Sequence, residues 1–270
     1  MEHTENDLAA WVQKLTVAPI PVLKRTLREL GTLRTNLDTT EVRDLAEVLR
    51  HDPLMTLLLL RYLQRHKRSS QVNDVVQIEQ GLMMLGLKTF FDKVVPVQSI
   101  EDTLQGKVQA LTGLLHAIKR ATHAAYYARD WAVRLKDLHF DEVRMVALMH
   151  NFAEIVMWCH APAAMSEIHR LQSQDRTRRT RDVQIQVLGF KLSDLQLELA
   201  KQWNLPSMLL QFMQRNNIQD RRMHIVVLAI NLSRHAENGW NDAALPDDYR
   251  DIGELLCMPV TEVMETVQRN

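Results

Sequence analysis

The longest regular pattern in the sequence is a run of apolar residues at helical spacing between Gly106 and Ala132. Leucine, isoleucine and alanine recur there every three or four residues over about seven turns of 3.6 residues each. This pattern predicts one long helix. Only 8 glycines occur in 270 residues, well below the usual share of roughly 7%, so tight hairpins and phosphate-binding glycine loops have little support. The chain is therefore predicted to be all-α.

Shorter apolar patterns with capping signals predict further helices. Asp38 with Glu41 is predicted to begin a helix that stops near His51. Asp52 followed by Pro53 is predicted to begin the next helix, because a carboxylate can cap the first amides and proline suits the first helical position. The chain shows no repeat of fixed period and no alternation typical of strands.

A leader helix and a central helix complete the predicted assembly. The leader is predicted from Leu8 to Leu15, before Pro19-Ile20-Pro21. The segment from Asp141 to Trp158 is apolar on nearly every face, which predicts a helix surrounded by others. Later segments also suit helices, namely Val183 to Phe190, Leu192 to Trp203, Pro206 to Met213, His224 to His235 and Val260 to Val267.

Charge and cysteine content narrow the classes of function. The chain has 33 basic and 33 acidic residues, so its overall charge provides no long-range attraction for nucleic acid or anionic membranes. The basic stretch from Arg176 to Arg181 is interpreted as a solvated loop, and nucleic-acid binding ranks last among the functions considered. Cys159-His160 has no second Cys/His pair at zinc-site spacing, and we interpret it as a buried or partly buried thiol. The acidic start and the lack of a long apolar stretch predict a soluble, cytoplasmic protein.

Short motifs follow one another along most of the chain. They are Pro19-Ile20-Pro21, His51-Asp52-Pro53-Leu54, Leu59-Leu60-Arg61, Ile78 through Leu85-Gly86, Ala147-Leu148-Met149-His150-Asn151, Leu188-Gly189 and Trp203-Asn204-Leu205-Pro206. In this order they resemble the HDOD family, a regulatory branch of the HD-domain superfamily found in bacterial signalling proteins.

The resemblance implies an HD-like multi-helix fold and a domain organisation. It predicts an N-terminal leader helix at 1–16, an HDOD domain at 17–238 and a C-terminal helical extension at 239–270. Within the HDOD domain it predicts an N-terminal helical subdomain at 17–104, packed on a degenerate HD-like core at 105–238.

The resemblance also identifies the positions of a former metal site. HD hydrolases use histidines and aspartates to hold divalent metals that activate water. His116 and His150 resemble the metal-binding histidines, whereas Asn151 replaces the defining aspartate and Asn231 lies near the expected last carboxylate. An amide has no negative charge and cannot act as a base, although Glu154 is a carboxylate close to His150. We therefore expect a pseudoenzyme without metal or cofactor, in which His116 and His150 are buried histidines hydrogen-bonded to a neighbouring helix.

The sequence thus predicts a non-enzymatic signal-transduction domain that binds a protein partner or a small ligand. The alternative is a residual metal-dependent phosphohydrolase or phosphodiesterase of the HD superfamily. Candidate contacts for a ligand or partner are Glu154, Arg176, Arg178, Arg179 and Arg181.

Overall fold

The computed structural model describes residues 7–67, 77–175, 177–214 and 220–269. Within these ranges the chain forms seventeen α-helices and no strand, which confirms the all-α prediction. A short 3-10 helix occupies Ala236–Asn238. The helices are α1 (Leu8–Val17), α2 (Lys24–Thr35), α3 (Val42–Arg50), α4 (Pro53–Arg65), α5 (Ile78–Leu85), α6 (Leu87–Lys93), α7 (Ile100–Thr103), α8 (Val108–Arg134), α9 (Phe140–Leu148), α10 (Phe152–His160), α11 (Pro162–Gln174), α12 (Thr180–Leu188), α13 (Leu192–Gln202), α14 (Ser207–Gln214), α15 (Arg221–His235), α16 (Leu245–Leu256) and α17 (Val260–Gln268).

The helices form two compact units, each made of two separate segments of chain. The first unit comprises Met1–Ile118 and Asn151–Gln214, and the second comprises Lys119–His150 and Arg215–Asn270. Helix α8 contributes residues to both units. No helix in the described ranges has the length and apolar character needed to cross a membrane. The sequence-predicted domain limits stay a prediction.

In the first unit, helix α4 begins as predicted, with Asp52 as its N-cap. The Asp52 side chain is fully buried. Its Oδ1 accepts hydrogen bonds from the amides of Leu54 at 2.9 Å and Met55 at 3.1 Å. Its Oδ2 accepts from the amide of Leu23 at 3.0 Å and from Thr26 Oγ1 at 2.7 Å. One carboxylate therefore joins the start of α2 to the start of α4. Burial raises the pKa of Asp52, and these four hydrogen bonds oppose the rise.

Two predicted helix limits are wrong. The segment Asp141 to Trp158 forms two helices, α9 and α10, because the backbone at Asn151 has φ −129° and ψ 26°, outside the helical region. Asparagine tolerates such a break since its side chain can bond elsewhere. The N-cap of α3 is Glu41, whose amide donates to Asp44 Oδ2 at 3.1 Å. Asp38 lies in the turn after α2, so it does not begin the helix.

The core of the second unit is built around the C-terminal part of α8, which confirms the predicted long helix. Helix α15 packs against α9 and α16, and α16 packs against α17. The Tyr127 hydroxyl on α8 donates to the Val267 carbonyl of α17 at 3.1 Å. Its burial raises the pKa of Tyr127 to about 12. The face of α8 in this core is rich in alanine and is fully buried, with Ala121, Ala124, Ala125, Ala128 and Ala132.

Candidate functional site

The four positions that the resemblance assigns to a former HD site belong to different units. His116 and Asn151 belong to the first unit, and His150 and Asn231 belong to the second.

Asn151 is a buried residue in the turn that precedes α10. Its Nδ2 donates a hydrogen bond to the Ala117 carbonyl of α8 at 3.2 Å. Its Oδ1 is also buried and has no hydrogen-bond partner among the described residues. Two residues later, the Ala153 amide donates to Gln196 Oε1 of α13 at 3.2 Å. The side-chain amides of Asn151 and Gln196 therefore link the start of α10 to α8 and α13.

His116 and Glu154 take up other positions in the first unit. His116 lies on α8 with an exposed side chain, so the prediction of a buried histidine is wrong at this position. Glu154 is partly exposed in the first turn of α10. A carboxylate at that end of a helix interacts favourably with the helix dipole. This position therefore gives Glu154 a role in stabilising α10.

His150 is half-buried just after the end of α9. Its Nδ1 lies 2.7 Å from the Ala147 carbonyl oxygen of that helix. A carbonyl oxygen can only accept, so Nδ1 carries the hydrogen. The histidine thus bonds to the last turn of its own helix, whereas the sequence predicted a bond to a neighbouring helix.

Asn231 lies on α15, three residues before Arg234. Arg234 Nη2 donates to Asn231 Oδ1 at 3.4 Å. The amide oxygen, which is the atom that a cation would need, therefore faces a positively charged guanidinium. This arrangement disfavours a metal ion at Asn231.

The chemistry of these residues does not fit a divalent cation. Across residues 7–67, 77–175, 177–214 and 220–269, no three His, Cys, Asp or Glu side chains are grouped so that they can hold a metal ion. The two asparagines supply neutral oxygens where an HD site needs anionic ones.

Cys159 and His160 lie at the end of α10 in the first unit. Cys159 is buried as predicted. Burial, with a contribution from the charge of Asp52, raises the pKa of its thiol to about 12. The thiolate, which is the reactive form, is therefore scarce at neutral pH. Burial, together with Lys14, lowers the pKa of His160.

Two of the arginines predicted as partner contacts already have partners near them in the chain. Arg178 Nη2 donates to Gln186 Oε1. Arg181 Nε lies 3.3 Å from Asp182 Oδ1. Arg179 is exposed and precedes α12, and Arg176 lies outside the described residues.

A contact that sequence reasoning missed joins two of the motif segments. The Arg61 guanidinium of α4 lies 4.8 Å above the centre of the Trp203 ring. Arg61 Nη2 also donates to the Thr16 carbonyl of α1. Burial and the charge of Arg65 lower the pKa of Arg61. Trp203 in turn packs against Phe152, with ring centres 5.7 Å apart. These motif residues therefore hold α1, α4 and α10 around the end of α13.

Comparison with known proteins identifies this arrangement. The family model described as HDOD domain matches residues 20–218. The fold is similar to that of the MmoQ response regulator from Methylococcus capsulatus, with a TM-score of 0.68, 14% identity, and coverage of 89% of this chain and 99% of that one. It is also similar to a virulence factor from Campylobacter jejuni, with a TM-score of 0.64, 16% identity and 97% coverage of both chains. No curated protein matches. The match to the family model spans more than half of the sequence, and the chain therefore belongs to the HDOD domain family.

Proposed function

We propose that this chain is a non-enzymatic, cytoplasmic regulatory protein of bacterial signal transduction, which acts by binding a protein partner or a small ligand. Its membership of the HDOD family supports a regulatory role. One protein with the same fold is described as a response regulator, which agrees with such a role.

The observation that carries the proposal is the state of Asn151. This residue replaces the aspartate that defines an HD site, and its amide nitrogen donates to the Ala117 carbonyl. An amide cannot balance the charge of a dication or take a proton from water. The Asn151 side chain instead links the start of α10 to α8, which is a structural role. The guanidinium beside Asn231 supports the same conclusion for the second unit.

Metal analysis and a phosphodiesterase assay test the non-enzymatic part of the proposal. Purified wild-type protein is expected to contain far less than one iron, manganese or zinc ion per chain. It is also expected to show no turnover of bis-p-nitrophenyl phosphate or of a cyclic dinucleotide when these metals are added. A matched control is the Asn151→Asp, Asn231→Asp double variant, which restores two carboxylates. Stoichiometric metal in the wild type that is lost in His150→Ala would contradict the proposal and favour the residual phosphohydrolase.

A pull-down from the native organism tests the binding part. Wild-type protein is compared with His150→Ala and with the His150→Ala, Asn151→Ala double variant, each checked by circular dichroism for native helix content. We expect a signalling protein to be retained by the wild type and lost in a folded variant. Retention of the partner by both variants would indicate that the binding surface lies away from the former HD positions. The absence of any partner or ligand for the wild type would contradict the proposed mode of action.

A further inference from the structure

Arg61 and Arg65 form a pair of arginines one turn apart near the end of α4, in the first unit. Arg61 is half-buried and Arg65 is exposed. Residues four apart on a helix are neighbours, and like charges at this spacing destabilise the helix. A basic residue in the last turn complements the helix dipole, which accounts for Arg65. Arg61 lies one turn earlier and is partly removed from water, so the dipole does not account for the pair.

No carboxylate of the described residues offsets the charge of this arginine pair. The Arg61 guanidinium contacts two neutral groups, the Trp203 ring and the Thr16 carbonyl. Burial and the charge of Arg65 both lower the pKa of Arg61, and no acidic group acts against them. The two neutral contacts therefore compensate only part of the charge of Arg61.

Other partly buried arginines of this chain have carboxylate partners. Arg50 on α3, whose side chain is 20% exposed, forms an ion pair with Glu79 of α5. In the second unit, the side chain of Arg120 is 19% exposed and lies 2.6 Å from Glu237. Withdrawing a charge from water is unfavourable unless a counterion is present. Arg61 thus differs from both in lacking a counterion among the described residues.

The same cluster contains a second hydrogen-bond donor without an acceptor. Trp203 is 4% exposed, and its Nε1 is buried with no hydrogen-bond partner among the described residues. A guanidinium has five N–H donors, and the Thr16 carbonyl takes one of those of Arg61. Donors are therefore in excess around Arg61, and the group that is missing is an anionic acceptor.

We propose that the arginine pair binds the phosphate group of a small-molecule ligand, either a phosphate ester or free phosphate. A phosphate ester carries about −1.5 to −2 charge at pH 7 and offers three acceptor oxygens, which matches two guanidinium groups. Planar guanidinium groups bind such oxygens through paired hydrogen bonds. A carboxylate carries a single charge and would leave one arginine of the pair uncompensated. The pair includes none of the four former HD positions, so this proposal goes beyond the proposed function and can fail without it.

The test measures binding to the full-length protein by titration calorimetry at constant ionic strength. The probes are inorganic phosphate, phenyl phosphate and benzoate, of which the last two share a ring and differ in the charged group. The variants are Arg61→Gln and Arg65→Gln. The matched control is Arg28→Gln, which removes an exposed arginine from α2. Arg65→Gln leaves the contacts of Arg61 with Trp203 and Thr16 in place, so it tests the site even if Arg61→Gln does not fold.

We expect phenyl phosphate to bind the wild type at least tenfold more tightly than benzoate does. Arg61→Gln and Arg65→Gln should each weaken phosphate binding at least tenfold, whereas Arg28→Gln should leave it within twofold. Equal or tighter binding of phenyl phosphate than of inorganic phosphate would assign the site to an ester, and the reverse would assign it to free phosphate. Equal binding of phenyl phosphate and benzoate would overturn the proposal. Phosphate binding that survives Arg65→Gln, equal losses in all three variants, or no binding of either phosphate to the wild type would overturn it as well.

Discussion

Replacing Asp52 with alanine tests whether one buried carboxylate holds the starts of α2 and α4 together. The side chain is fully buried and accepts four hydrogen bonds. Asp52→Ala leaves four donors without this acceptor in an apolar environment. The matched control is Asp44→Ala, which removes an exposed carboxylate from the first turn of α3.

The expected loss in the free energy of unfolding follows from the hydrogen bonds that Asp52 accepts. Losing an N-cap costs about 0.5 to 2 kcal/mol, and this covers the amides of Leu54 and Met55. The half-buried Leu23 amide, left without an acceptor, adds about 1 to 3 kcal/mol. The Thr26 hydroxyl can rotate toward another acceptor, so its share is smaller. We therefore expect Asp52→Ala to lower the free energy of unfolding by about 2 to 5 kcal/mol, and Asp44→Ala by about 1 kcal/mol.

Urea unfolding measures both changes. Helix content is followed by circular dichroism, and the dependence on urea concentration gives the free energy of unfolding for each variant. Thr26→Val serves as an intermediate case, since it removes a single donor to the carboxylate. The reasoning would be refuted if Asp52→Ala cost no more than Asp44→Ala.

Three further predictions concern stability. Burial raises the folded-state pKa of Asp52 above its ordinary value of 3.8. The contribution of this raised pKa to stability is therefore fully present below pH 3.8 and is lost as the pH rises through the folded-state pKa. Over that pH range, urea titrations should show the wild type losing stability relative to Asp52→Asn. Gly113→Ala should lower the melting temperature, because a Cβ would lie 2.5 Å from the Trp158 ring and overpacking of about 1 to 3 kcal/mol exceeds the helix gain of about 1 kcal/mol. The control Gly31→Ala meets nothing within 4 Å and should raise that temperature, and a rise for both would contradict the packing argument. Tyr127→Phe should cost about 1 kcal/mol in urea unfolding through the lost hydrogen bond to α17, and no change would refute the role given to this bond.

Local signals in the sequence predicted the helices better than the contacts between them. Asp52 followed by Pro53 predicted the start of α4, because the cap and its amides lie within three residues. The break at Asn151 was missed because this side chain bonds to Ala117, which is 34 residues away along the chain. The bond between Thr26 and Asp52 spans 26 residues and has no local pattern either.

The site was less predictable than the fold, as His116 shows. The spacing that predicts α8 also predicts that His116 is exposed. His116 lies two residues after the buried Leu114, and two residues turn a helix by about 200°. The resemblance, which identifies His116 as a metal position, predicts burial instead.

The segmented construction of the second unit has a consequence during protein synthesis. Helix α9 packs against α15, yet all of Asn151–Gln214 is translated between the two segments that contain them. At about 5 to 20 residues per second, roughly 3 to 13 seconds pass between the synthesis of α9 and that of its partner. We expect its apolar surface to be open to chaperones during this interval. Loss of the last third of the chain should then leave a nascent product that aggregates.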